Sequence, residues 1–306
     1  MAIVSRRHFL EILTAAAAAL PFRGRAAHAA GGEPDIVDVH GTDVRKMVAA
    51  ALAALGGIGR FVKPGDHVVI KPNAGFANPP EWGTTTHPDT VMALAQACLD
   101  AKAKQVAIVE FPLSKDPDRC IKRCGLEAAL LTVPSVKLKL LTAREDFKTV
   151  EVAGAAALKS VDLAKAMLSA DVFINVPAAK EHTETGVSFG LKNAMGLIWD
   201  RKAFHTAYDL HQAIADLGRV VKPHLTVLDA TRVLLTNGPQ GPGDTGTPGR
   251  LIAGRNVVSV DAYGLTVARF NQKQMTPADA RHIALAGSAG LGEIDVGKLK
   301  VKRVEA

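Results

Sequence analysis

Cysteine is scarce, at three in 306 residues. No C-x-x-C-x-x-C run exists, so a cluster-binding ferredoxin module is excluded. Cys98 shares the apolar side of a helical stretch with Val91, Leu94 and Ala95, the setting of a buried thiol. Cys120 and Cys124 stand four apart, one helical turn. That spacing leaves open a metal pair, a strained disulfide or no role; an oxidising compartment and an odd count favour the disulfide over the metal. Other absences exclude more. No basic run suggests nucleic acid as a partner. No G-x-G-x-x-G joins a strand to a helix. Gly292–Lys298 copies the spacing of a phosphate loop, but Leu299 stands where Ser or Thr is required. A dinucleotide cofactor has no support, and no other cofactor is specified. No G-x-S-x-G elbow marks a serine hydrolase. No segment of the mature chain reaches membrane-spanning length, so no stable span is expected after the leader is removed.

That leader occupies the first 29 residues. Ser5-Arg6-Arg7-His8-Phe9-Leu10 matches the twin-arginine pattern. An alanine-rich stretch, Ile12 to Leu20, follows, and Ala27-His28-Ala29 supplies a small-x-small cleavage site. The order predicts export by the twin-arginine machinery, cleavage near Ala29 and a periplasmic protein. Four arginines against Glu11 give the leader a net +3, so +4 of the formal +7 stays with the mature chain. A mildly basic protein of about 277 residues suits a small anionic ligand and is long enough for a substantial core.

Strand and helix patterns then alternate. Short apolar runs at His67–Lys71, Gln105–Phe111, Val136–Leu141, Asp171–Val176 and Leu225–Asp229 predict strands. Residues 88–102, Val161–Ala170, 207–221, Ser259–Phe270 and Pro277–Ala286 read as helices. Gly238–Arg250, rich in Gly and Pro, reads as a loop that either closes a site or moves freely. The pattern implies an α/β fold, a mainly parallel sheet with helices on both faces, in one domain over 30–306 that is either single or two-lobed. In such sheets ligands sit beyond the carboxyl ends of the strands.

The segments that fall there are polar. Lys71 and Asn73 stand at the end of the first strand. Thr84-Thr85-Thr86-His87-Pro88 leads into a helix, with Pro88 at its first position, so its free amides are either an anion cradle or an ordinary cap. After Asp171–Val176 comes KEHTETGVSFGLKN, residues 180–193. Lys180 and Lys192 bring two cations, His182 a titratable ring and Asn193 a donor and an acceptor. Gly186 and Gly190 permit close backbone approach. Position after a buried strand favours a binding wall over a solvated basic loop. His182, with an ordinary pKa near neutrality, is the general acid–base candidate, and Lys180 and Lys192 act beside it in the catalytic set. Lys71, Asn73, Thr86, His87, Asn193 and His205 complete the ligand-binding wall. Two alternatives remain: a non-catalytic ligand-binding or assembly protein, and a metal site built from His182, His205 and Asp229. His205 and His211 are six apart, on different sides of a helix; His211 borders an apolar face and suits a core histidine.

Taken together, VVIKPN (68–73), TTTHPDTV (84–91), KEHTETGVSFGLKNAMG (180–196), His205, LTVLDA (225–230) and the Gly238–Gly241 loop resemble the domain of unknown function family 362. The pieces run in order across most of residues 62–295. Ser188 stands where relatives usually carry Thr. The resemblance implies an exported α/β protein and names no reaction. A weaker, architectural similarity joins the chain to the N-terminal part of lactate racemase-like proteins, which use a nickel-pincer nucleotide; Phe111-Pro112-Leu113 replaces the histidine motif expected there.

Overall fold

A computed structural model describes residues 32–306. The twin-arginine segment and its cleavage site lie outside the described residues. The strands are β1 (Ile36–His40), β2 (His67–Pro72), β3 (Gln105–Glu110), β4 (Lys137–Leu140), β5 (Phe147–Glu151), β6 (Ser160–Ala164), β7 (Val172–Val176), β8 (Ala178–His182), β9 (Gly186–Ser188), β10 (Leu225–Leu234), β11 (Thr245–Gly246), β12 (Arg250–Gly254) and β13 (Val301–Glu305). The α-helices are α1 (Val44–Ala54), α2 (Pro88–Asp100), α3 (Pro117–Arg123), α4 (Leu126–Leu130), α5 (Lys165–Leu168), α6 (Gly190–Asn193), α7 (Arg201–Thr206), α8 (Leu210–Leu217), α9 (Val257–Gly264) and α10 (Arg281–Ser288).

The main sheet runs β13-β1-β12-β10-β7-β2-β3-β4. β4, β3, β2, β7 and β10 are mutually parallel, and β13 is parallel to β1; β12 runs antiparallel between β1 and β10. β5 and β6 form a separate antiparallel ribbon. This is the α/β, mainly parallel architecture that the alternating pattern implied.

Both faces are covered because the inner strands alternate two apolar sets. Val68 and Ile70 of β2, with Val172 and Ile174 of β7, pack into a cluster with Met47, Val91 and Leu94 of α1 and α2. Val69 and Phe173 point the other way, into a cluster with Ile214, Val258 and Ile283 of α8, α9 and α10. Side chains that alternate across a strand produce this division.

Several expected elements differ. Val161–Ala170 is not one helix: residues through Ala164 form β6, and only Lys165–Leu168 is helical. Val161, Leu163 and Ala164 fill the core from an extended chain, and pairing with β5 outweighs local helix preference. The Gly/Pro segment 238–250 contains β11, paired with the overlong β10, and ends on the first residue of β12. Its start is anchored, with Thr183 Oγ1 donating to the Gly238 carbonyl at 2.7 Å. His205 and His211 lie on two helices, α7 and α8, rather than one. Of the readings left open for Cys120 and Cys124, the disulfide is not formed. Each is a buried thiol, donating to the Gly75 carbonyl at 3.5 Å and the Ile121 carbonyl at 3.4 Å respectively. Cys98 is a buried thiol within the α2 face, and burial pushes its pKa up to about 12. Among the described residues no helix is long and apolar enough to cross a membrane.

Candidate functional site

A cavity of about 400 Å³ opens beyond the carboxyl ends of β2 and β3 and beside β8. The sheet builds it where two neighbouring strands stop pairing before they end. β2 pairs with β3 only through Ile70, but with β7 through Pro72. β3 in turn stays paired with β4 through Glu110, so the two strands part at Lys71 and Glu110, whose side chains meet at 2.8 Å. Pro177 then interrupts the chain, which continues as β8 along β10. Alternation along β8 sends Lys180 and His182 to the cavity and Glu181 away from it, where its carboxylate accepts the Gly238 amide. The hairpin to β9 turns at Gly186, with φ of +75°. Pairing of Lys180 with Ser188 places that hydroxyl on the same wall.

Seven of the nine predicted site residues line the cavity: Lys71, Asn73, Lys180, His182, Lys192, Asn193 and His205. Thr86 and His87 do not. The Thr86 hydroxyl accepts the Asn73 amide at 2.8 Å and donates to the Val176 carbonyl at 2.7 Å, which ties β2 to β7. The His87 amide donates to Asp229 Oδ2 at 2.7 Å, and its ring Nδ1 accepts the Asp89 amide as the cap of α2. An internal carboxylate thus takes the place that an external anion was expected to fill. Gly190 is likewise internal. Its amide and that of Leu191 donate to Asp261 at 2.7 and 2.8 Å, and a Cβ on Gly190 would lie 2.6 Å from Val257. Gly186 and Gly190 serve the turn and the packing, not a ligand.

Sequence reading missed Glu110 and Arg201. Glu110 ends β3 and pairs with Lys71 at 2.8 Å, both side chains almost fully buried. Its oxygens also accept the Ala74 and Phe111 amides at 2.6 and 2.9 Å. Arg201, at the start of α7, donates to the Phe111 and Pro112 carbonyls at 2.7 and 3.2 Å, and its guanidinium sits 3.9 Å from the Phe111 ring centre. It clamps the segment after β3, where Phe111 stacks on Trp199 at 5.8 Å. A charged residue ending an otherwise apolar strand was the available signal for Glu110.

The asparagines knit the floor. Asn193 donates to Asn175 Oδ1 at 2.8 Å and accepts from Asn73 Nδ2 at 3.1 Å; Asn73 Oδ1 in turn accepts from Lys180 at 3.0 Å. Lys180 also donates to the Thr84 carbonyl and lies 4.7 Å from the Phe76 ring centre. Lys192 donates to Met195 Sδ at 3.2 Å, a weak acceptor. Neither Lys180 nor Lys192 has a carboxylate partner within 4 Å among the described residues.

Burial reshapes the titrations. Desolvation lowers Lys71, with Glu110 opposing it. Desolvation draws Lys180 down to about 7, with Lys192 and Lys71 adding to the fall and Glu110 opposing it. Lys192 falls to about 8, again by desolvation, against the pull of Glu184. His182 falls furthest, to about 2, through desolvation and the neighbouring Lys192 and Lys180. It is held neutral, with Nδ1 accepting the Glu184 amide at 3.1 Å, so its proton sits on Nε2. This corrects the expectation that His182 titrates near neutrality: the cations around it penalise a further charge, and the groups that do titrate there are the lysines.

The metal alternative loses its third member. Asp229 does not line the cavity, and its oxygens accept from His87, Thr90 and Thr231. His205 pairs with Glu184 at 2.8 Å. Among the described residues no three His, Cys, Asp or Glu side chains stand close enough together to hold a metal.

A mainly parallel α/β sheet with a cation-lined cavity at its strand ends defines the class of protein. Within that class the chain belongs to the family described as Domain of unknown function (DUF362), whose model matches residues 68–266. It is 30% identical over 222 residues to a thylakoid-associated protein of Synechocystis, covering 69% of this chain. The match spans 65% of that relative's own length. Among solved structures, the lactate racemase apoprotein of Thermoanaerobacterium thermosaccharolyticum aligns with a TM-score of 0.43 at 12% identity, over 69% of this chain and 54% of that one. A structural-genomics protein of Thermotoga maritima aligns with a TM-score of 0.41 at 14% identity, over 60% and 50%. Likeness at this level transfers no ligand or activity.

Proposed function

We propose that this protein is exported to the periplasm by the twin-arginine route and binds a small anionic ligand, a carboxylate or phosphate, in the strand-end cavity. One observation carries the binding reading: Lys180 and Lys192 face a cavity without a carboxylate counter-ion. Removing a charge from water is unfavourable unless it is paired. An anion supplies the missing partner and returns both ammonium groups toward their ordinary pKa. Export rests on the order of the paired arginines, apolar stretch and cleavage site in residues 5–29.

A catalytic form of this reading is favoured by the same lysines, since amines that titrate near neutrality serve as bases at working pH. In that form Lys180 or Lys192 moves the proton, and neutral His182 donates a hydrogen bond from Nε2 to the ligand.

The binding reading is tested by native mass spectrometry with elemental analysis on protein exported through its own leader, followed by thermal-shift titration with carboxylates and phosphates. Retention of an anion, or a concentration-dependent rise in Tm that Lys180→Met abolishes, is the expected result. Absence of both sinks the reading. For export, Arg6→Lys with Arg7→Lys is expected to leave the protein unprocessed in the cytoplasm; unchanged processing overturns that part alone.

A further inference from the structure

The cavity has two unlike walls, and they specify more than an anion. This deepens the anion-binding reading and rests on it. On the charged side stand Lys71, Lys180, Lys192 and Arg201, against Glu110 and Glu184. Counting lysine and arginine against carboxylates, four cations face two, an excess of two. Glu110 is committed to Lys71 at 2.8 Å, and Glu184 turns half-exposed toward His205 at 2.8 Å. Lys180, Lys192 and Arg201 all lack a carboxylate within 4 Å, but Arg201 is held by the Phe111 and Pro112 carbonyls at 2.7 and 3.2 Å, so the charge open to a ligand is that of Lys180 and Lys192.

On the other side the wall is apolar. Phe76, Phe111, Leu113 and Met195 line it. Phe76 comes within 4.7 Å of the Lys180 ammonium, so apolar surface begins directly beside the charge. Leu113 is 56% exposed, a large apolar side chain left uncovered at the rim of this cavity. Its amide is fixed by the Gly75 carbonyl at 2.9 Å, so the backbone carrying it is held in place. A volume near 400 Å³ falls in the lower part of the ~300–1,000 Å³ range of small-molecule sites. It exceeds what a bare inorganic anion fills.

We propose that the ligand is a dianion carried on an apolar body: a phosphate monoester or a dicarboxylate bearing a ring or short alkyl group. Its charges meet Lys180 and Lys192, and its body lies against Phe76, Phe111 and Leu113. A monoanion leaves one buried ammonium unpaired. An inorganic dianion satisfies the charge but leaves the apolar wall wet.

Calorimetric titration of the mature protein at pH 7.5 separates these terms, with phenyl phosphate, phthalate, benzoate and inorganic phosphate as probes. The expected result is that phenyl phosphate or phthalate binds at least about tenfold tighter than both benzoate and inorganic phosphate, in line with one further paired charge or one buried ring. Whichever of the two wins assigns the head group as phosphate or dicarboxylate. Benzoate binding as tightly overturns the dianion and leaves anion binding standing. Inorganic phosphate binding as tightly overturns the apolar body. If none of the four binds, the anion-binding reading falls with it. Lys192→Gln, at a half-buried position, supplies an independent check: the preference for the ring dianion over benzoate should shrink about tenfold. An unchanged preference in that variant removes Lys192 from the dianion site and overturns the assignment.

Discussion

Lys71 and Glu110 close a 2.8 Å ion pair across the ends of two neighbouring strands, with side chains 1% and 2% exposed. The pair holds the cavity floor, because Glu110 also binds the Ala74 amide and Lys71 lies against Gly196. Breaking such a pair leaves a charge buried alone. Glu110→Gln or Lys71→Met is expected to cost about 3–5 kcal/mol of stability. The double variant Lys71→Met/Glu110→Leu should recover part of that loss. Urea denaturation measures both, and double-variant stability no better than the worse single variant would contradict the account.

Gly196 gives a second, steric test. A Cβ there would stand 2.6 Å from Lys71 Cε and 3.1 Å from Glu110 Oε1. The lysine end is flexible in general, but here the pair pins it. Gly196→Ala is expected to destabilise by about 1–3 kcal/mol, the cost typical of overpacking. The same change in the Lys71→Met/Glu110→Leu background should cost less. Equal loss in both backgrounds would show that Lys71 is not what the methyl group meets.

Lys180 ties stability to pH with a definite sign. Its folded-state pKa of about 7 lies below the unfolded value. Between those values the unfolded chain binds the extra proton, so raising pH favours the folded state. Lys180 should therefore add stability from pH 7 to about 8, above which ionising thiols of the unfolded chain increasingly oppose the gain. Lys180→Met should be flatter than the wild type over that window in chemical denaturation. A wild-type curve parallel to the variant's would remove the depressed lysine.

Ligand binding should take up protons. An anion beside Lys180 and Lys192 raises pKa values that stand near 7 and 8 in the empty cavity. At pH 8 the measured binding heat should change with the ionisation enthalpy of the buffer, and affinity should fall as pH rises through that range. His182→Gln should keep this proton uptake, because His182 is neutral throughout. Loss of the uptake in that variant would return the titrating role to the histidine.

Residue order made much of the cavity legible. Lys71 and Asn73 stand at the end of β2, and Lys180, His182, Lys192 and Asn193 come after β7; the geometry of such sheets brings those ends to one edge. Thr86 and His87 follow the same rule only in part. They reach the edge, but Asp229 from β10 consumes the His87 amide, and a partner more than a hundred residues away leaves no local mark. The shifted pKa of His182 has the same origin, since it depends first on burial and then on which cations the fold assembles beside it. β6 was hidden because Val161–Leu168 satisfies a helical spacing as well as a strand's, and only pairing with β5 decides between them. β1, β12 and β13 were missed altogether; they are brief, and the first and last of them carry charged residues in mid-strand.

That last trio governs how the molecule comes together. β1 lies between β12 and β13, matched to each over five residues, and Ile36 meets Gly254 on one side and Val301 on the other. An early segment must therefore wait for two late ones before its hydrogen bonds are complete. Closing so long a loop carries an entropic cost that near-neighbour pairing avoids, and contacts this distant in sequence slow folding. The strands that carry the cavity, β2, β3, β7, β8 and β10, pair over shorter separations. The seam on either side of β1 cannot be complete until residues 301–305 have been synthesised.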